Sequence, residues 1–445
     1  MRIVKTIFYL LLALIAVGLL AFSGFFLWKS IPREADQPEV LQSDLIFQEE
    51  EAPMILPEEP AEAEPPAEPV TEAPPEAAEA PETPEEAIPA DPLDDEVSPK
   101  ALAEAYLQTM TLEQKLWQLF ITTPEAITEV PVATRAGDAT KAAIQQYPVG
   151  GLCYFSANLE DTAQITQMLT NTQSYAATGM FLCIDEEGGL VSRAGANENV
   201  DVAPLKAAAE YGAAGDTDAV FSAGKQVAQE LTALGFNLNL APVADVTSAE
   251  ENSEIGTRAY SSDPETAAAM VASMVDGLQR GGMLSCLKHF PGHGSVQTNS
   301  HEGKSISTRT LEELRQSDWL PFQSGIAEGV LFVMLSHQTN ENLSSLPASL
   351  SPEVVEYLRQ ELGFAGIILT DSQQMGAITD QYSSAEAAVL AIQAGVDMIL
   401  MPQNLQEAFD GLKAAVEAGT ITEERINDSV LRILTIKYGW GILAA

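Results

Sequence analysis

The amino-acid sequence predicts an α/β protein built on a single (β/α)8 TIM-like barrel over residues 98–445, with a transmembrane helix in residues 1–33 and a disordered acidic linker in residues 34–97 ahead of it. Three observations carry this reading. From residue 98 onward, eight short apolar runs recur with helix-type spacing between them, the alternation that a parallel barrel requires. Residues able to do chemistry stand directly behind the C-terminal ends of several of those runs. The stretch is also long enough, at about 350 residues, for one large domain.

The chain begins with an apolar segment, Thr6 to Trp28, with Arg2 and Lys5 before it and Lys29 and Arg33 after it. About 20 apolar residues span a bilayer, whereas a cleaved signal peptide has an apolar core of about 7 to 15. The segment therefore predicts an uncleaved, single-pass membrane anchor. Basic residues at both ends leave the positive-inside signal weak. The acidic tract that follows places the rest of the chain outside the cytoplasm, in the cell membrane's outer aqueous space.

That tract, Glu34 to Val97, holds about half of the chain's 26 prolines, about 22 acidic residues and no basic one. It has little to bury and much self-repulsion, so it predicts a stretched, disordered tether. The whole chain carries a net charge of −42, and residues 98–445 alone remain near −24. Such a surface repels nucleic acid and anionic lipid headgroups, which excludes both as partners of the barrel itself.

Within the barrel domain the predicted strands are Leu116 to Ile121, Gly151 to Phe155, Met180 to Ile184, Phe236 to Leu240, Met283 to Leu287, Val330 to Leu335, Gly366 to Leu369 and Val396 to Leu400. Helix signals fill the gaps. Thr310 with Glu313 fits a capping box, Asn404 precedes the stripe Leu405, Ala408, Phe409, Leu412 and Val416 before Gly419, and Thr422 precedes Ile426, Val430, Ile433 and Leu434. Cys153, Cys183 and Cys286 each fall in a predicted strand, which reads as buried, inert thiols rather than a disulfide.

Three of the four histidines, His289, His293 and His301, lie in the stretch Met283 to His301, which follows an apolar run with a polar loop broken by Pro and Gly. That is the construction of an active-site loop on a rigid strand. Other strand ends add Asp185-Glu186-Glu187 with Arg193 close behind, Asn239, Pro242 and Asp245, Lys288 with His289, Ser336-His337, and Thr370-Asp371. Asp245 reads equally well as a structural acid, capping a helix or pairing within a loop, and as a functional one. Asp371, at the end of Gly366-Ile367-Ile368-Leu369, is the stronger functional candidate. A carboxylate nucleophile opposite a proton donor cleaves glycosides with retention, and a histidine on a loop can be that donor near neutral pH. A metal site is disfavoured: His289 and His293 are four apart, but they flank a Pro-Gly turn and no third ligand is suitably spaced. No cofactor is expected. No Gly-rich phosphate loop and no Gly-x-Ser-x-Gly elbow occurs.

KHFPGHG followed by NSH, together with IDEEGG, LNLAPVADV, IGTRAY, LPASLSPEVV, ILTDS and AGVDMILMP in this order, resembles glycoside hydrolase family 3. More narrowly it is similar to the bacterial β-N-acetylglucosaminidases that act on cell-wall sugars. The resemblance implies that Asp371 is the nucleophile and His301 the acid/base. It implies that Asp185, Arg193, Arg258, Lys288 and His289 hold the hydroxyls of the terminal sugar, and that His293 serves loop structure. The chain departs from the family pattern at Ser295-Val296, at Asn299 where an aspartate usually partners the histidine, at Ser372 and at Leu190. An amide at Asn299 can orient the ring of His301 but adds no charge. Two readings follow. The first is an exo-acting, retaining β-N-acetylhexosaminidase, monomeric and facing the wall, with phosphate in place of water as an open variant. The second is a weakly active or non-catalytic sugar-binding relative of the same fold.

Overall fold

Eight parallel strands line up in the order β10-β1-β2-β3-β4-β5-β7-β9, where β1 is Phe120–Thr122, β2 Gly151–Tyr154, β3 Phe181–Ile184, β4 Leu238–Asn239, β5 Leu284–Phe290, β7 Phe332–Leu335, β9 Ile367–Thr370 and β10 Ile399–Leu400. The ends of this ribbon meet through a parallel bridge between Leu369 and Met398, flanked by the Thr370 N–H on the Met398 carbonyl. A separate two-stranded ladder pairs β6, Ile306–Ser307, with β8, Thr339–Asn340. The structure is a computed structural model that describes residues 98–247, 254–294 and 305–444. The expected anchor and linker lie outside the described residues, as do Asn299 and His301. Among the described residues no helix is long and apolar enough to cross a membrane.

The barrel strands are buried along their whole length, which is why they read as continuous apolar runs rather than as alternating patterns. All eight expected strands occur, with two informative shifts. Leu116 and Trp117 end the helix Leu112–Trp117, started by a Thr111/Gln114 capping box, and the first strand begins only at Phe120. A buried helix end running into a buried strand gives one unbroken apolar stretch, so periodicity could not divide it. Strand β5 continues three residues past Leu287, and Lys288 and His289 belong to it rather than to the loop. The reason is pairing beyond β4: the Cys286 and Lys288 N–H groups donate to the Ala241 and Pro242 carbonyls, and the Ala244 N–H donates to the Lys288 carbonyl at 2.6 Å.

Helices cover the outside. Asp216 caps Thr217–Leu234 and Asp263 caps Pro264–Arg280. These two helices touch where Gly277 lies so near the first that a methyl there would stand 2.4 Å from the Phe221 carbonyl oxygen. Asn404 and Thr422 cap Leu405–Glu417 and Glu423–Gly439 as their sequences predict, with Leu405, Ala408, Phe409, Leu412, Ile426, Val430, Ile433 and Leu434 buried. The last helix closes the barrel floor. Its Lys437 is fully buried, donates to Gln118 Oε1 at 2.7 Å, and lies 4.9 Å from the centre of the Phe181 ring. Also at the floor, buried Asp397 accepts from Arg359 (2.5 Å), Ser429 (2.6 Å), the Ile368 N–H (2.9 Å) and Arg432 (3.1 Å). Cys153, Cys183 and Cys286 are buried free thiols on β2, β3 and β5, as expected.

Candidate active site

The residues that follow β3 divide by direction. Asp185 and Glu187 face a pocket, whereas Glu186 between them turns away and fastens the next loop: it takes the Ser192 hydroxyl and the Arg193 and Ala194 N–H groups, the latter two at 2.8 and 2.7 Å. Glu186 is itself fixed by Asn239 of β4, which bonds both its main-chain N–H and its carbonyl at 2.9 Å.

Lys288, from β5, bridges the two pocket carboxylates, 2.6 Å from Asp185 and 2.6 Å from Glu187. Arg258, from the turn Gly256–Arg258, forks onto Glu187 at 2.8 and 2.9 Å. The result is a row of alternating charge, Asp185, Lys288, Glu187, Arg258. Burial would raise the Glu187 carboxyl, but the two cations outweigh it and hold it down to about 2. Burial would lower Lys288, yet Asp185 and Glu187 keep its ammonium above the ordinary lysine range. Glu187 and Lys288 therefore stay charged and keep their remaining hydrogen-bonding capacity for a ligand.

His289, next on β5, is gripped by Asp245, whose Oδ2 lies 2.7 Å from its Nδ1. A carboxylate only accepts, so Nδ1 carries the proton. The other oxygen of Asp245 accepts the His293 main-chain N–H at 2.6 Å. Asp245 thus ties the loop to β5 rather than capping a helix. The ring of His293 meets Glu254 at 3.1 Å, and Glu254 with Asp245 raises its pKa against the opposing effect of burial. Its contacts are those of a residue that shapes the loop.

Asp371 stands just past β9. Its own N–H donates to the Leu335 carbonyl at 2.9 Å, and its Oδ1 accepts the Ser372 N–H at 2.7 Å. Burial would raise its pKa, but His289, His337, that N–H and Lys288 together hold it below the ordinary aspartate value. Arg193 lies with its guanidinium carbon 5.5 Å from the centre of the Phe155 ring, and its Nε has no protein hydrogen-bond partner among the described residues. An ionised carboxylate beside so many aimed donors suits nucleophilic attack on a polyhydroxylated ligand.

These groups line one pocket of about 460 Å³, whose apolar side is made by Cys153, Phe155, Met334, Met375, Leu400 and Met401. It therefore gathers Asp185, Arg193, Arg258, Lys288, His289 and Asp371, the six described residues of the eight that the sequence nominates. Asn299 and His301 are outside the described residues. Glu187, Glu254 and His337 line the pocket too and were not nominated. Among the described residues no group of three or more His, Cys, Asp or Glu side chains is arranged to hold a metal ion.

Residues 111–436 match the glycosyl hydrolase family 3 N terminal domain. The chain belongs to glycosyl hydrolase family 3. Within that family it is 35% identical over 277 residues to a β-hexosaminidase of Stenotrophomonas maltophilia, a match covering 61% of this chain and 82% of that protein. It is 31% identical over 323 residues to the β-hexosaminidase A of Pseudoalteromonas piscicida, covering 66% of this chain but only 54% of that longer protein. A solved family 3 β-N-acetylglucosaminidase from a Paenibacillus species superposes with a TM-score of 0.71 at 36% identity, over 76% of this chain and 64% of that one. The family 3 match runs from Thr111, the N-cap of the helix before β1, into the last turn of the helix Glu423–Gly439, so it includes the whole barrel.

Proposed function

We propose that this chain is an exo-acting, retaining β-N-acetylhexosaminidase that removes terminal β-linked N-acetylglucosamine from cell-wall glycans. Asp371 attacks the anomeric carbon, the glycosidic bond breaks, and a covalent glycosyl-enzyme intermediate forms. His301, oriented by Asn299, gives its proton to the departing oxygen and then takes one from the water that releases the sugar. Asp185, Arg193, Arg258, Lys288 and His289 hold the sugar's hydroxyl groups.

The observation that carries this reading is the sharing of one pocket by an ionised Asp371 and the charged row Asp185, Lys288, Glu187, Arg258. A pocket of about 460 Å³ suits one terminal sugar rather than a run of them, in keeping with exo action. The relatives named β-hexosaminidase and β-N-acetylglucosaminidase support the choice of sugar. Release of nitrophenol from a β-N-acetylglucosaminide tests it, and absence of turnover by folded protein supports the sugar-binding alternative instead.

The apolar segment Thr6 to Trp28 supports a membrane-held enzyme, and the acidic tract Glu34 to Val97 supports its working outside the cytoplasm. Protein that stays with membranes at high salt and leaves with detergent is the expected result. A soluble cytoplasmic enzyme would overturn it.

A further inference from the structure

The segment that follows Asp371 is fastened from two neighbouring strands at once. On one side the Asp371 N–H donates to the Leu335 carbonyl at the end of β7. On the other the Gln373 N–H donates to the Leu400 carbonyl of β10 at 3.0 Å. The carbonyl of the same Ser372–Gln373 peptide is taken by His337 Nε2 at 2.8 Å. That peptide plane is therefore gripped by its oxygen and by its N–H, from opposite sides. Between the two gripped points lies the Ser372 N–H, the group that donates to Asp371 Oδ1 at 2.7 Å.

A carbonyl oxygen only accepts, so His337 Nε2 carries a proton. The Nδ1 of a neutral imidazole is then an acceptor, and it lies 2.7 Å from the Ser349 hydroxyl. Ser349 is fully buried, and its N–H donates to the Ser336 carbonyl at 3.0 Å. Burial keeps His337 neutral by lowering its pKa, against the pull of Asp371 and with the help of His293, the charged or titratable groups that act on it.

We propose that Ser349 and His337 form a positioning relay that aims the Asp371 carboxylate by holding the Ser372 carbonyl. Ser349 selects the tautomer, His337 fixes the peptide, and the peptide fixes the N–H that orients Oδ1. His337 lines the pocket, but both its ring nitrogens are already engaged, by Ser349 and by the Ser372 carbonyl. The relay acts on the reaction through the angle of the nucleophile, so it affects the bond-forming step and not sugar binding. It rests on the reading of Asp371 as the nucleophile.

The test compares His337→Ala, His337→Gln and Ser349→Ala in the full chain, by turnover of an activated β-N-acetylglucosaminide and by the rate at which a 2-fluoro glycoside labels Asp371. His337→Ala is expected to lower kcat and the labelling rate about tenfold to a hundredfold, the scale of an ångström of misplacement, with KM nearly unchanged. His337→Gln, whose amide can donate to the Ser372 carbonyl, recovers most of that loss. Ser349→Ala slows the wild-type background and has no further effect in His337→Ala, the mark of two residues acting as one. Should the Ala variant fail to fold, the Gln variant and Ser349→Ala decide. A rise in KM with kcat unchanged, a Gln variant as slow as Ala, or additive effects would overturn the relay. Wild-type protein labelled elsewhere than Asp371 would overturn the nucleophile assignment and the relay with it, whereas normal labelling of Asp371 at equal rates in all variants overturns the relay alone.

Discussion

Asp245 holds one histidine of β5 and one of the loop behind it with a single carboxylate: Oδ2 takes the ring of His289 at 2.7 Å and Oδ1 the main-chain N–H of His293 at 2.6 Å. One buried side chain thereby sets both the tautomer of a pocket residue and the path of the Pro291-Gly292 turn between them. Asp245→Ala is expected to leave two donors unpaired in the interior and to cost about 3 kcal/mol or more in urea unfolding, with activity lost in the same variant. Burial would raise the Asp245 carboxyl, but His289 and His293 lower it. Its contribution is therefore present above the ordinary aspartate pKa and is lost as the pH falls through the lower folded value. Equal stability of Asp245→Ala and wild type at neutral pH would contradict this account.

Glu187 acts in the same sense. With its ordinary pKa of 4.5 held down to about 2, it stabilises the fold above pH 4.5 and ceases to do so as the pH falls toward 2. Glu187→Gln should flatten acid unfolding across that interval, and should raise KM more than it lowers kcat because Lys288 and Arg258 lose their shared partner. Acid unfolding curves of the two proteins that coincide between pH 4.5 and 2 would count against it.

Lys437 works in the opposite sense. Burial in the barrel floor lowers it from 10.5 to about 7, so the unfolded chain binds this proton more readily than the folded one. The penalty is complete below pH 7 and fades as the pH rises toward 10.5. Lys437→Met should therefore raise stability by about 2 kcal/mol at neutral pH, net of the hydrogen bond lost by Gln118, with the gain shrinking in alkali. Thermal unfolding at pH 7 and pH 10 measures it, and a lower Tm at pH 7 would refute it.

Asp371→Asn should abolish turnover while leaving the fold intact, a loss of several kcal/mol of transition-state stabilisation. Mass spectrometry after a 2-fluoro glycoside should find the label on Asp371. Label on Asp185 or Glu187 would reassign the nucleophile.

On the proposed pairing of residue 299 with His301, Asn299→Asp should give the histidine a charged partner and raise turnover by about tenfold on substrates with poor leaving groups, a fraction of what general acid catalysis is worth. Activated nitrophenyl glycosides should gain least. The alkaline limb of the pH-rate profile should move to higher pH, because a carboxylate partner helps a histidine keep its proton. Equal gains on both substrate types with no movement of that limb would show that Asn299 is not the partner.

The barrel was legible because parallel strands buried on both faces leave unbroken apolar runs, and because chemistry sits where those runs stop. Asp185, Lys288 and Asp371 each follow directly from that rule. Glu187 was not singled out within Asp185-Glu186-Glu187, although the two-residue alternation of an extended chain would have sorted it: positions 185 and 187 share a side and 186 faces away. His337 was noted at its strand end but without a role, since its partners Ser349 and Ser372 come from other turns of the barrel and no local pattern encodes their meeting. The start of β1 was hidden because a capped helix and a strand share one apolar stretch.

The place where the ring closes has a consequence for biosynthesis. β10 is two residues long, pairs with β1 through Phe120–Ile399 and Ile121–Leu400, and meets β9 at a single bridge. While a nascent chain still lacks β10, β1 and β9 are both bare sheet edges, the templates on which copies of a protein stick to one another. The helix Glu423–Gly439 then fastens the closed ring, through Arg432 and Ser429 on Asp397 and Lys437 on Gln118. A message cut short before β10 would yield a product that carries the whole charged row of the pocket on a sheet with two bare edges, a form expected to aggregate.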